Sequence, residues 1–103
     1  MEKEAAVYRE KLRHYYNSEG QLTQFPPKRP MRIIALSRIA ERFEAGQQYT
    51  EKEVNEKIKG AIAFGDVELI RRELYEYKFL DRQRDGSSYW ARESWRETYK
   101  DYQ

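Results

Sequence analysis

The order of the periodic segments constrains this chain more than any other feature: three helical stripes in succession, then two short runs around an Asp-Gly pair. Pro30 suits the first turn of the first of these helices, where its missing N–H costs nothing. Ile33, Leu36, Ala40 and Phe43 make its 3-4-3 stripe, Ile34 and Ile39 widen it, and Ala45-Gly46 ends it. So wide a stripe predicts a largely buried helix. Thr50-Glu51-Lys52-Glu53 then reads as a capping box, with Tyr49 and Val54 placed around it as a hydrophobic staple. The second helix turns Val54, Ile58 and Ala61 inward and stops near Gly65. Asp66 is a good N-cap for the third, Glu68 complements its dipole, and Val67, Ile70, Leu74 and Tyr77 face inward.

Two helices joined by so short a Gly-containing turn form a helix-turn-helix unit. Behind it, residues 79–84 and 87–90 flank Asp85-Gly86. That pair predicts a two-residue hairpin turn with positive φ at both central residues. With Gln47-Gln48-Tyr49 as a short strand beside the hairpin, the order is that of an α+β winged helix-turn-helix domain: a three-helix core plus a β-hairpin wing.

The flanks add two further elements. Ala5, Tyr8, Leu12 and Tyr15 share one face of residues 2–17, predicting an extra N-terminal helix that Gly20 stops. Residues 21–25 alternate as in a short strand or extended segment, Pro26-Pro27 keeps the chain extended, and Lys28-Arg29 follows exposed. Past the hairpin, Trp95, Tyr99 and Tyr102 have helical spacing, and Ser94 with Glu97 offers a second capping box, so an aromatic tail helix is expected. The chain reads as one domain over residues 1–103, with the N-terminal helix at 1–20, the winged-helix-like core at 22–91 and the tail at 92–103.

A chain of 103 residues has room for one modest core. Charged residues at 37% would suit disorder, but 15% aromatics with nine tyrosines predict a packed domain under a well-solvated surface. The absence of cysteine excludes disulfides, thiolate metal sites and Cys nucleophiles. No apolar run approaches the ~18–20 residues of a membrane span, and Met1 opens onto Glu2-Lys3-Glu4. A soluble, cytoplasmic protein without a membrane partner is therefore expected.

Three pieces stand in order along the core: Tyr49-Thr50-Glu51-Lys52-Glu53-Val54-Asn55, then Arg71-Arg72-Glu73-Leu74, then Asp85-Gly86 followed by Tyr89-Trp90. Together they resemble a small bacterial family known as a domain of unknown function, from about Leu22 to Trp90. Members of that family stand alone or form the C-terminal half of helix-turn-helix transcriptional regulators of the ArsR type. The resemblance implies a gene-regulatory context and lends no established activity.

The winged-helix order points first to duplex DNA, with the helix at 66–78 in the major groove and the wing at the backbone. Arg71 or Arg72 would read guanine and Tyr75 would reach phosphate. Arg82 and Arg84 on the wing, with Lys28, Arg29 and Arg32, would neutralise backbone charge. The charge count along the helix opposes this, since Asp66, Glu68, Glu73 and Glu76 exceed Arg71, Arg72 and Lys78 by one. Residues 21–43 are more favourable at a net +4. The alternative is that Arg71 and Arg72 pair with Glu68, Glu76 or a neighbouring helix, and the wing arginines guard a solvated edge.

Trp90, Trp95, Tyr99 and Tyr102 point instead to a protein interface, with a second copy of the chain or another regulatory protein, because aromatics are enriched in interface cores. The alternative is that the tail packs on the N-terminal helix and closes the core. Catalysis is not expected. His14 is the single histidine, Glu53 is used as a cap, and no phosphate loop, nucleophile elbow or metal-ligand cluster is present. Neither a cofactor nor a metal is expected. The sequence therefore predicts a DNA-binding or transcription-associated module, or alternatively a dimerisation or protein-interaction module without nucleic-acid contact.

Overall fold

The computed structural model describes residues 2–102. In chain order these form α1 (Glu2–Leu12), α2 (Arg29–Ala40), β1 (Gln48–Tyr49), α3 (Glu51–Lys59), α4 (Val67–Glu76), β2 (Leu80–Arg82), β3 (Tyr89–Ala91) and α5 (Trp95–Thr98). Single 3-10 turns follow α1 at Arg13–Tyr15 and α5 at Lys100–Tyr102. The class is α+β: helices against a three-stranded antiparallel sheet of order β1-β3-β2.

α2 is the hub of the core, as its wide stripe predicts. Met31, Ile33, Ile34, Ala35, Leu36, Ile39 and Ala40 are all buried there. The one buried polar side chain among the described residues, Ser37, is satisfied internally, its hydroxyl donating to the Ile34 carbonyl at 2.7 Å. Regular helix ends at Ala40 rather than near Ala45, because the N–H groups of Arg42 and Phe43 bond back three residues instead of four. That tighter turn still buries Phe43, edge-on to Tyr49 at 5.1 Å.

The N-terminal helix is shorter than the predicted 2–17, ending at Leu12 and tightening into the 3-10 turn. Asn17 then reverses the chain, its side-chain oxygen accepting from the N–H groups of Glu19 and Gln21. Residues 21–25 do not form a strand of the sheet. Leu22 is stitched to the end of α3, donating to the Ala61 carbonyl at 2.9 Å and accepting from the Ala63 N–H at 2.8 Å, while the Thr23 N–H donates to the Tyr15 carbonyl at 2.7 Å. This stitch also ends α3 at Lys59, well short of Gly65, since residues 61–63 bond to Leu22 instead of extending the helix.

The caps of α3 and α4 form as predicted. Thr50 Oγ1 accepts from the Glu53 N–H at 3.1 Å, and Glu53 Oε1 accepts from the Thr50 N–H at 2.8 Å. Asp66 Oδ1 accepts from the Leu69 N–H at 3.1 Å. α4 closes on a six-residue bond from the Phe79 N–H to the Leu74 carbonyl, which requires Lys78 to take a left-handed φ of 66°. No glycine marks that end, so the sequence carries no sign of it.

β1 pairs with β3 through Gln48↔Trp90 and Tyr49↔Tyr89, and β2 pairs with β3 through Leu80↔Ala91, Asp81↔Trp90 and Arg82↔Tyr89. The hairpin and its third strand match the expectation; the turn does not. Gln83 and Ser88 still pair across the hairpin, and the Gly86 N–H bonds to the Gln83 carbonyl, so the loop spans 84–87. Only Gly86 is left-handed, at φ 77°, and Asp85 instead uses its carboxylate to accept from the Ser87 N–H. An aspartate that caps the turn this way does not need positive φ.

The tail differs most from its prediction. α5 is a single turn, and the expected capping box is absent: Ser94 is helical at φ −80°, ψ −6°, while Glu97 pairs with Lys100 at 3.1 Å. What holds the tail is aromatic packing on Phe79, stacked with Tyr99 at 4.8 Å and edge-on to Trp95 at 5.3 Å.

Candidate functional site

α4 and the hairpin together frame a groove of about 340 Å³, with Arg71, Arg72, Tyr75, Arg82 and Tyr89 among its walls. Four of the eight sequence-nominated nucleic-acid contacts therefore lie in one place. The alternation of the strand brings Arg82 to the same sheet face as its partner Tyr89, and the spacing of α4 turns Arg72 and Tyr75 outward. The two elements meet through one contact, with the Arg82 guanidinium 5.1 Å from the centre of the Tyr75 ring. Tyr75 is 38% exposed, one of two large hydrophobic side chains left open among the described residues.

The arginines of the groove have different partners. Arg71 is only 18% exposed: Nη1 donates to Asn55 Oδ1 at 2.6 Å and Nε lies 3.7 Å from Glu51 Oε1. The Tyr89 hydroxyl donates to the same Glu51 oxygen at 3.4 Å. Arg71 thus ties α4 to α3, and its donors face inward. Arg72 pairs with Glu68 at 3.6 Å one helical turn away, both side chains largely exposed. Such a pair is worth about 0–1 kcal/mol and opens readily. Glu51, Glu68 and Glu76 line the groove beside the three arginines, so its formal charges cancel.

The remaining nominated cations lie elsewhere. Arg84 is exposed in the hairpin loop. Lys28 is the exposed N-cap of α2, whose first turn carries no acid. Arg32 Nε donates to the Pro26 carbonyl at 2.7 Å and the guanidinium covers Phe25 at 4.8 Å. Arg29 lies over Tyr77 at 5.6 Å, on the side of α4 where the Tyr99 hydroxyl donates to the Tyr77 carbonyl at 2.7 Å.

The four aromatic residues nominated for an interface do not form one exposed face. Trp95 and Tyr99 are buried against Phe79, and Tyr102 is half-buried edge-on to Tyr99 at 6.3 Å. Burial pushes the Tyr99 hydroxyl above its ordinary titration range, with the nearby Arg29 charge opposing the shift. Only Trp90 is set apart, half-buried on the opposite sheet face from the groove. The sequence reading missed Asn55 and Glu51 as the partners of Arg71. Their i,i+4 spacing on α3 was the available signal, since it puts both on one face.

Among the described residues, no group of three or more histidine, aspartate or glutamate side chains is placed to hold a metal ion. No described helix is long and apolar enough to cross a membrane. A family model described as an uncharacterized protein conserved in bacteria matches residues 21–91, the span from just before Leu22 through β3. No curated protein and no solved structure matches the chain.

Proposed function

Because the chain belongs to the family DUF2087 of uncharacterized proteins conserved in bacteria, whose description names no activity, we propose its role from geometry: a winged-helix module that meets duplex DNA through α4 and the β2–β3 hairpin. The contact between Arg82 and Tyr75 carries this reading, because it joins a wing cation to the open face of α4 in a single groove with Arg72. Placed in a major groove, α4 would present Arg72 to base edges once the weak Glu68 pair opens, and Tyr75 to phosphate. Arg84 at the hairpin tip would meet the neighbouring backbone. Arg71 would act through position, holding α4 on α3. Lys28, Arg29 and Arg32 would add to the field that attracts DNA rather than to the groove itself. The sequence resemblance to modules carried by ArsR-type regulators supports the same direction.

A second reading rests on the cancelled charges of the groove, where three carboxylates accompany three guanidiniums. A surface so balanced suits a protein partner, whether another copy of this chain or a regulatory protein, better than a phosphate backbone. Fluorescence anisotropy with mixed-sequence duplex at low salt separates the two. Binding that weakens linearly with log salt supports DNA contact. No binding at about tens of micromolar, where non-specific binders register, refutes it.

A further inference from the structure

A second, larger cavity of about 720 Å³ lies on the other face of the sheet. Side chains alternate across a strand, so the neighbours of Arg82 and Tyr89, which line the α4 groove, point the opposite way. Those neighbours are Asp81 and Trp90, and both line this cavity. Gln48, Trp90 and Asp81 are direct cross-strand partners, so one row of three side chains crosses the sheet with the indole at its centre. The Gln48 wall is fixed, its side-chain oxygen accepting from the Ser88 hydroxyl at 2.9 Å.

The charge here is opposite in sign to that of the chain as a whole. Asp81 and Glu93 line the cavity with a single cation, Arg92, whereas the chain carries a net +2. Arg92 comes within only 3.9 Å of Asp81, and Glu93 makes no ion pair among the described residues. An indole face with an uncompensated carboxylate beside it attracts a cation by its quadrupole and by Coulomb's law together. It repels phosphate, so this face does not suit a nucleic acid. Arginine fits better than lysine, because a planar guanidinium can lie flat on the indole while its edge donates two bonds to one carboxylate. The volume falls within the ~300–1,000 Å³ of typical ligand pockets, which leaves room for an arginine side chain and its flanking backbone.

We propose that the outer face of the sheet docks an arginine-bearing peptide segment of a partner protein, the guanidinium seated on Trp90 and bonded to Asp81 or Glu93. This site is separate from the α4 groove, and it stands whether or not that groove binds DNA.

Titrating the full chain with the peptide acetyl-Gly-Arg-Gly-Arg-Gly-amide, followed by two-dimensional amide and indole NMR, tests the assignment. Saturable shifts are expected at the Trp90 indole N–H and the amides of Gln48, Asp81 and Glu93, with α4 unmoved. Trp90→Ala should weaken the peptide about tenfold, the Asp81→Asn/Glu93→Gln pair by a similar factor, and the lysine analogue should bind several-fold more weakly. Trp90→Phe should keep part of the affinity, and serves as the comparison should the alanine variant fail to fold. Three results would each overturn the proposal: no saturable shift at millimolar peptide, equal binding of the glutamine analogue, or affinity unchanged when the indole or both carboxylates are removed.

Discussion

Arg71 Nη1 donates to Asn55 Oδ1 at 2.6 Å, a bond that ties α4 to α3. It is made across sixteen residues, between two half-buried side chains, and Glu51 completes the site from the same face of α3. The open face of α4, with Arg72 and Tyr75, is aimed by a residue that is itself turned inward.

Arg71→Ala should therefore destabilise the domain by about 1.5–3 kcal/mol, the range for a hydrogen bond to a charged group. Asn55→Ala should cost less, and the double variant should cost less than the sum of the two single changes. Urea unfolding of the four proteins measures the coupling. Strict additivity would mean that the two side chains do not act together.

Lys78 carries a left-handed backbone at φ 66°, a geometry that costs about 1–2 kcal/mol for a residue with a Cβ. Lys78→Gly should remove that strain, less the extra freedom glycine gains in the unfolded chain. A net gain of roughly 0.5–1 kcal/mol is expected, read as a higher denaturant midpoint at constant m-value. A loss of stability would contradict the assigned end of α4.

Burial holds the Tyr16 hydroxyl above its ordinary pKa of 10.0, although the Arg38 guanidinium, 5.2 Å from the ring centre, opposes the shift. Between that value and the raised one, the folded chain keeps a proton that the unfolded chain has lost. Stability should therefore hold up to about pH 10 and then fall as pH rises through the window. Tyr99 is raised in the same direction and should contribute in the same sense. Tyr16→Phe should remove the Tyr16 share of the alkaline loss, measured by urea unfolding at several alkaline pH values. Absorbance of phenolate in the native protein should show late-titrating tyrosines that become ordinary on unfolding.

On the DNA reading, Arg82→Ala and Arg84→Ala should weaken binding uniformly across sequences and lower the salt slope by about 0.9 for each phosphate no longer neutralised. Arg72→Ala should instead cost about 1–3 kcal/mol at one base position and little elsewhere. Glu68→Gln should strengthen binding by freeing Arg72 and removing a like charge from the phosphate field. Anisotropy titrations over a small panel of duplexes distinguish these patterns. A slope unchanged in both wing variants would remove the hairpin from the interface.

The sequence by itself determined the elements that local chemistry encodes. The Thr50–Glu53 box, the Asp66 cap, the stripe of α2 and the hairpin around Gly86 all rest on residues within a few positions of one another, and each formed. It also nominated the four side chains that meet in the α4 groove, because helix and strand periodicity settle which way Arg72, Tyr75 and Arg82 face. Tertiary structure decided what depends on residues far apart in the chain. Leu22 stitched to Ala61 and Ala63 decided that residues 21–25, readable as a short strand or an extended segment, join no strand of the sheet, and it shortened α3. Packing on Phe79 drew Trp95 and Tyr99 into the core, so aromatics that helical spacing put on one face became its lining rather than a surface. The pairing of Arg71 with Asn55 fixed which of two adjacent arginines remains open to a partner. The register of β3 between β1 and β2 set Trp90 beside Asp81 and Gln48. Each of these outcomes depends on which distant groups share one core and one sheet, and periodicity along a single chain carries no information about that.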